Sequence, residues 1–570
     1  MSGPGDRAPK DPCAREPTQS ISGEGQGAAP KSLDEASALL PGSKEFGTFR
    51  KSPAREPGDL GVAAPMVGDE QPREDEKSQS VIEAENAEES DAVVVPKKPT
   101  KTRVTPVESV EGRATAEGKS ATRNAPPAQD GKGALTFLQR IGERAKQKPK
   151  EKWTNLLSHV RVPLLKEAYQ RLRKAAAVGV DEVTWAEYGE RLDERLLDLQ
   201  DRIHRGSYHP KPVRRVHIPK GDGKTRPLGL IALEDKIAQQ AARMVLQPIY
   251  EAEFIGFSYG FRPRRSQHGA LDALAEAMAR KVNWVLDADI RAYFDTIDRE
   301  HLQRFIEHRI GDRRMVRLLM KWVNAGVFED GKLHETQEGV PQGAGISPLL
   351  ANVYLHYVFD LWICQWRKQQ ARGEVYVVRY ADDLVVGLQK EQDARALHSA
   401  LVERFAKFGL ELHPDKTRVI EFGRFAREDR ARRGLSKPET FEFLGLTHIC
   451  GVSRDGRPQL KRRTSRKKRR AKLASLKEEC RRRRHHRVAE QHAWMSQVLE
   501  GHYRYYGVPT NYRALAQFRR QAEWLWHRSL QRRSQRGRWS RAQYKAIEQR
   551  FPLPTPRIYH PWPAQRFALR

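Results

Sequence analysis

The chain has 570 residues, long enough for several domains and at least one substantial core, and 103 basic against 73 acidic side chains give it a formal net charge of +30. The excess is uneven: residues 1–130 carry 17 basic and 23 acidic residues, whereas residues 451–570 carry 32 and 7. A positive field so localised favours a polyanionic partner over a merely soluble basic surface. Four widely spaced cysteines, Cys13, Cys364, Cys450 and Cys480, form no C-x-x-C pair, which argues against a disulfide framework and against an all-cysteine zinc site. The N-terminus lacks an apolar signal core, and no apolar run approaches the roughly 20 residues of a membrane helix, so an intracellular protein without membrane contact is expected.

Residues 1–130 are rich in Gly, Pro, Ala, Ser and Glu and poor in aromatics, so they bury too little to offset chain entropy and are expected to be a disordered tail. Order should begin near Leu135-Thr136-Phe137-Leu138. Leu164, Ala168, Leu172, then Leu192, Leu196, Leu197 and Leu199 recur at helical spacing, with Gly179-Val180-Asp181 between them. Val216 to Lys220, the turn Gly221-Asp222-Gly223, and Lys224 to Leu228 read as a β-hairpin with basic side chains around its tip. Helix is expected over 234–250, mixed strands and helices to about 447, and basic, aromatic helices from there to about 550.

Val375-Tyr376-Val377-Val378, Tyr380-Ala381-Asp382-Asp383 and Leu384-Val385-Val386 read as strand, tight turn and strand, with two adjacent carboxylates at the tip. A third carboxylate, Asp289, follows the apolar run Trp284-Val285-Leu286, and pleat alternation puts Asp287 on its face. Alone, an Asp at a strand end is more often a cap or turn residue than a ligand. Together the three suggest a two-metal site for phosphoryl transfer, because hard divalent ions take carboxylate and phosphate oxygens. Clustered without metal, at least one of them would have a raised pKa. Asp298 is placed to cap the helix that starts at Arg299. In Gly339-Val340-Pro341-Gln342-Gly343-Ala344-Gly345-Ile346-Ser347-Pro348, Ser347 is expected to cap a helix opened by Pro348. The glycines there would let backbone approach a ligand closely, or simply form a loop before a buried helix.

The order of these motifs resembles the reverse transcriptases encoded by bacterial group II introns. The likeness runs through Gly179-Val180-Asp181, Ile218-Pro219-Lys220, Arg226-Pro227-Leu228-Gly229, Gly256 to Pro263, Asp289 with Phe294, Pro341-Gln342-Gly343, the YADD turn, Gly409 to Thr417 and Phe443-Leu444-Gly445. It spans residues 150–565, roughly three quarters of the chain. The resemblance implies an α+β right-hand polymerase, with fingers and an antiparallel-sheet palm over residues 131–450, a helical thumb over 451–490 and a helical maturase domain over 491–570. It implies Asp289, Asp382 and Asp383 as catalytic ligands of two Mg²⁺ ions. Lys220 and Arg226 match phosphate contacts, Gln342 a residue beside the incoming nucleotide, Phe294 the aromatic gate against a ribose 2′-hydroxyl, and Lys416 a lysine near the leaving pyrophosphate. Phe294 is compatible with ordinary packing as well, Lys416 could equally be an ordinary solvated lysine, and the hairpin of Lys220 and Arg226 taken alone is more readily a basic surface hairpin.

The implied partners are group II intron RNA, a DNA primer or target, and deoxynucleoside triphosphates; the implied place is the cytoplasm, at the nucleoid in a bacterium. Basic runs in the C-terminal region, including Arg462, Arg463, Lys467, Lys468, Arg532, Arg533 and Arg536, are candidates for RNA contact on long helical faces. Interleaved aromatics such as Trp524 could stack on unpaired bases, whereas Phe518 shares a stripe with Leu515, Ala522 and Leu525 and belongs in a core. Many relatives continue into an HNH endonuclease with zinc-binding cysteine pairs; without those pairs no second-strand cleavage is expected here. Two other functions stand as alternatives: a splicing cofactor whose palm is vestigial, against which the intact carboxylates, Gln342 and Phe294 speak, and a domesticated polymerase used in repair or defence.

Overall fold

The computed structural model describes residues 132–219, 225–329, 332–334, 339–341, 343–453, 455–534 and 540–562. The expected disordered tail and the candidates Lys220, Gln342 and Arg536 lie outside the described residues, as does the side chain of Arg226.

Among the described residues the strands, in chain order, are β1 (Val213–Pro219), β2 (Thr225–Leu230), β3 (Trp284–Asp289), β4 (Val327–Glu329), β5 (Lys332–His334) and β6 (Val375–Tyr380). They continue with β7 (Asp383–Leu388), β8 (Arg418–Glu421), β9 (Phe441–Phe443), β10 (Leu446–Val452) and β11 (Pro458–Thr464). They form three sheets, in the orders β2-β1-β4-β5, β6-β7-β3-β8 and β11-β10-β9. The β1–β2 pair is the antiparallel hairpin expected from the sequence, with Val216 opposite Leu228.

The central sheet β6-β7-β3-β8 is antiparallel throughout and apolar on both faces. Pleat alternation divides its side chains. Leu286, Ala288, Leu384, Val386 and Leu388 enter the largest core cluster. That cluster also takes Ile237, Ala241, Val245 and Ile249 of the helix Leu233–Glu251, at helical spacing, and most of the helix Ser347–Leu355. Val285, Val378, Val385 and Ile420 face the other way, onto Ala270, Leu271, Leu274 and Met278 of the helix Gln267–Ala279 and onto Phe441 and Phe443. A sheet sandwiched in this way has little freedom to slip, since a one-residue shift would exchange its faces.

Asp298 caps the helix Arg299–Arg309 as expected, its side chain accepting the His301 amide at 2.7 Å. Ser347 does not act as a cap: it lies inside the helix Ser347–Leu355, and its hydroxyl donates to the Pro341 carbonyl at 3.0 Å. The expectation of helix beyond 447 also fails at first, because β10 and β11 extend the chain as strand to Thr464 before helix begins at Arg466. The helices Arg466–Arg482, Val488–Tyr506 and Tyr512–Gln531 then share a separate core of Leu476, Met495, Leu499, Leu515, Phe518 and Trp526. Phe518 is fully buried there, as its stripe predicts. No helix among the described residues is long and apolar enough to cross a membrane.

Candidate active site

The hairpin β6–β7 turns at Ala381-Asp382, with Tyr380 directly opposite Asp383. Ala381 takes a left-handed conformation, φ 54°, that ordinary side chains disfavour. β3 lies beside β7 in a register that sets Asp289 directly opposite Asp383. Opposed residues of an antiparallel pair have Cα atoms roughly 4.5–5.5 Å apart. Asp287, Asp289 and Asp383 share the parity of Val285 and Val385, so all three emerge on the same face of the sheet, with Asp382 at its rim.

This face gathers negative charge. Burial pushes the Asp383 carboxyl up, and Asp382, Asp289 and Asp287 push it further, to about 7; Lys468 acts in the opposite direction. Burial also lifts Asp287 to about 7, opposed by Arg418 and reinforced by Asp289. Lys416 Nζ lies 2.6 Å from Asp289 Oδ2. The lysine is delivered by a turn whose His413 amide donates to the Asp289 carbonyl at 2.8 Å and whose His413 carbonyl accepts the Lys416 amide at 3.2 Å. Among the described residues, no three His, Cys, Asp or Glu side chains are drawn together into a ready metal cage. The donors still suit a hard divalent cation: they are all carboxylate oxygens, and their mutual repulsion is the imbalance such a cation relieves.

Phe294 follows Ala292, which has φ 46°, in a short turn after β3. Its ring is half-buried, packs against the large core and lies 5.5 Å from that of Tyr293. The Phe294 carbonyl accepts the Val340 amide at 2.8 Å. Gly339, φ 84°, crosses so closely that a Cβ there would stand 2.9 Å from the Phe294 carbonyl oxygen. At the far end of that loop, a Cβ on Gly343 would stand 2.4 Å from the Gly229 carbonyl oxygen of β2. The loop therefore spans from the turn carrying Phe294 to the strand carrying Arg226.

The C-terminal candidates divide by placement. Arg463, Lys467, Lys468 and Arg532 are exposed. Arg462 is not a surface contact, and this corrects the sequence reading. Its strand alternates, so Lys461 and Arg463 point away while Arg462 points in, opposite His448. It is 1 % exposed, with its guanidinium 4.4 Å from the Trp562 ring centre and 3.9 Å from Asp272. Arg533 is half-buried and donates through Nε to the Arg484 carbonyl at 2.6 Å and through Nη2 to the His486 carbonyl, so it ties helix ends together.

The sequence reading missed a buried polar group beneath the turn. Arg379 and Asp360 are both fully buried and paired, with Asn352 beside them. The signal was one arginine closing the apolar run Val375–Val378.

Residues 218–448 match the profile of the family described as reverse transcriptase (RNA-dependent DNA polymerase). Protein YkfC of Escherichia coli K12 is 37% identical over 276 residues, 42% of this chain and 71% of that protein. The group II intron-encoded protein LtrA of Lactococcus lactis subsp. cremoris is 36% identical over 230 residues, 40% of this chain but only 38% of that protein. The nuclear intron maturase 3, mitochondrial, of Arabidopsis thaliana is 26% identical over 217 residues, 33% of this chain and 30% of that protein. With the carboxylates, the YADD turn and these relatives in view, the chain belongs to the family of group II intron reverse transcriptases and maturases.

Proposed function

We propose that the chain is an RNA-directed DNA polymerase that copies intron RNA into DNA and assists the splicing of that RNA as a maturase. The register that opposes Asp289 to Asp383, with Asp382 at the adjoining turn, is the observation that carries the reading. Asp289, Asp382 and Asp383 would hold two Mg²⁺ ions. Bound there, such ions would activate a primer 3′-hydroxyl and offset charge on the triphosphate.

The remaining roles belong to the chain itself. Phe294 borders the sugar of the incoming nucleotide and disfavours a 2′-hydroxyl. Arg226 and Lys220, from the β1–β2 hairpin, grip triphosphate oxygens, where a guanidinium fork suits paired oxygens. Gln342 lies beside the nucleotide. Lys416 releases Asp289 and stabilises charge on the departing pyrophosphate. In this reading residues 131–450 are fingers and palm, 451–490 the thumb and 491–570 the maturase domain.

The maturase role draws on the exposed cations Arg463, Lys467, Lys468 and Arg532, with Arg536 following, and on the names borne by LtrA and the plant maturase. One face of the helix Tyr512–Gln531 supports it further: Arg513, Gln517, Arg520, Trp524 and Arg528 are exposed at helical spacing, with the Arg528 guanidinium 5.0 Å from the Trp524 ring centre. Cations with an exposed indole suit unpaired RNA.

The test is extension of a DNA primer annealed to RNA by the purified full chain. Synthesis that needs deoxynucleoside triphosphates and Mg²⁺, and stops with chelator, supports the polymerase. RNA binding without any synthesis would leave a splicing cofactor with an inactive site.

A further inference from the structure

Arg379 is among the largest fully buried side chains of the molecule, and it directly precedes the YADD turn. Its guanidinium is saturated on one side by Asp360, through Nε to Oδ1 at 2.7 Å and through Nη2 to Oδ2. Its remaining nitrogen, Nη1, donates to the Asn352 side-chain oxygen at 2.9 Å and to the Ala381 carbonyl at 3.1 Å. Asn352 Nδ2 in turn donates to the Gly260 carbonyl at 2.7 Å. Gly260 closes the ring: a Cβ there would stand 2.3 Å from the Ala381 amide nitrogen. Ala381 is thus held at its carbonyl by Arg379, while the backbone of Gly260 packs closely against its amide side. Asp360 lies at the end of a π-helical turn, His356–Asp360, between the helices Ser347–Leu355 and Leu361–Gln369. Such wider turns shift side chains out of ordinary helical register and recur at functional sites.

We propose that Arg379 and Asp360, braced by Asn352, are positioning residues that fix the left-handed Ala381 turn and thereby aim Asp382 and Asp383. The proposal rests on the reading of those aspartates as the catalytic carboxylates.

Energetics favour this over a purely structural role. Burying two charges costs several kcal/mol per ion, and an apolar pair of similar volume is often as stable or more so. A bidentate guanidinium–carboxylate pair supplies what an apolar pair does not, a fixed direction for Nη1. The turn needs such a constraint, because a non-glycine residue at φ 54° is opposed by its own sterics. Displacement of reacting groups by 1 Å can cost about 100-fold in rate, so small movements of the turn matter.

The experiment compares wild type, the double variant Arg379→Met/Asp360→Leu, and the single variant Asn352→Ala. Each is assayed for melting temperature, for kcat and KM in primer extension, for the Mg²⁺ concentration at half-maximal rate, and for amide exchange over residues 378–386. The double variant replaces the ion pair by an apolar pair but leaves the Asn352 oxygen and the Ala381 carbonyl without their donor, so it is expected to fold with a modestly lowered melting temperature and to lose about 100-fold in kcat. KM for the nucleotide should change little, the Mg²⁺ requirement should rise, and exchange should quicken at the turn alone. Asn352→Ala keeps the ion pair and is expected to lose about tenfold in kcat with the same local change in exchange. If the double variant does not fold, the Asn352→Ala result decides. Wild-type kcat, Mg²⁺ requirement and turn exchange in a folded variant would overturn the proposal. If wild type itself makes no DNA, the polymerase reading fails, and turn exchange alone decides whether the ring of contacts holds the turn.

Discussion

Lys416 Nζ and Asp289 Oδ2 lie 2.6 Å apart, so a carboxylate assigned to metal is engaged by a cation of the chain itself. In the proposed function, lysine and divalent ion compete for one oxygen. Lys416→Met is expected to tighten Mn²⁺ binding, followed by electron paramagnetic resonance, by about two- to fivefold, the worth of an exposed ion pair. Primer extension should nevertheless slow by about tenfold, because the role proposed for Lys416, positive charge beside the leaving pyrophosphate, is lost. Unchanged metal affinity would show that the pair does not gate the site.

Two adjacent arginines should behave differently. Arg532 is exposed and Arg533 bridges the Arg484 and His486 carbonyls. Arg532→Ala is expected to weaken RNA binding in filter assays, with a salt slope shallower by about one phosphate contact, and to leave the melting temperature unchanged. Arg533→Ala should lower the melting temperature of the C-terminal helical domain by about 4–8 °C, the shift expected for a loss of roughly 1 kcal/mol in a domain of about 60–100 residues. The reverse pattern would mean that the exposure of these side chains has been misread.

Acid should weaken the third sheet through a histidine. His448 is fully buried, stacked 4.8 Å from the Phe441 ring and paired across strands with Arg462. Burial, with Arg462 adding, pushes its pKa down to about 3. The unfolded chain protonates this imidazole near 6.5 and the folded chain does not. Its stability contribution is therefore intact above pH 6.5 and is lost progressively as pH falls toward 3, with about 2 kcal/mol gone at pH 5. Urea titrations at pH 7 and pH 5 should show a larger fall for wild type than for His448→Gln. Equal falls would contradict the assignment.

Much of the catalytic face was legible because two apolar runs flank Tyr380 to Asp383, and a tight turn between apolar strands leaves little choice of geometry. The partner strand was legible as a strand, and its Asp289 as a candidate, but not its register, which depends on packing both faces of the central sheet. The error at Arg462 has a similar origin. In Lys461-Arg462-Arg463 every side chain is basic, so polarity carries no parity, and only pairing with β10 reveals which one turns inward. Arg379 was passed over because a charged residue at a strand end ordinarily meets water. Its partners Asp360 and Asn352 come from a separate helical segment, and no local pattern announces them.

The central claim is that Asp289, Asp382 and Asp383 together carry DNA synthesis. Single-turnover primer extension by Asp382→Ala, measured beside its affinity for RNA, tests it most directly. The account predicts a rate lower by at least about 1,000-fold with RNA affinity within about twofold of wild type, since the basic C-terminal surface is untouched. Extension by this variant at the wild-type rate would contradict it.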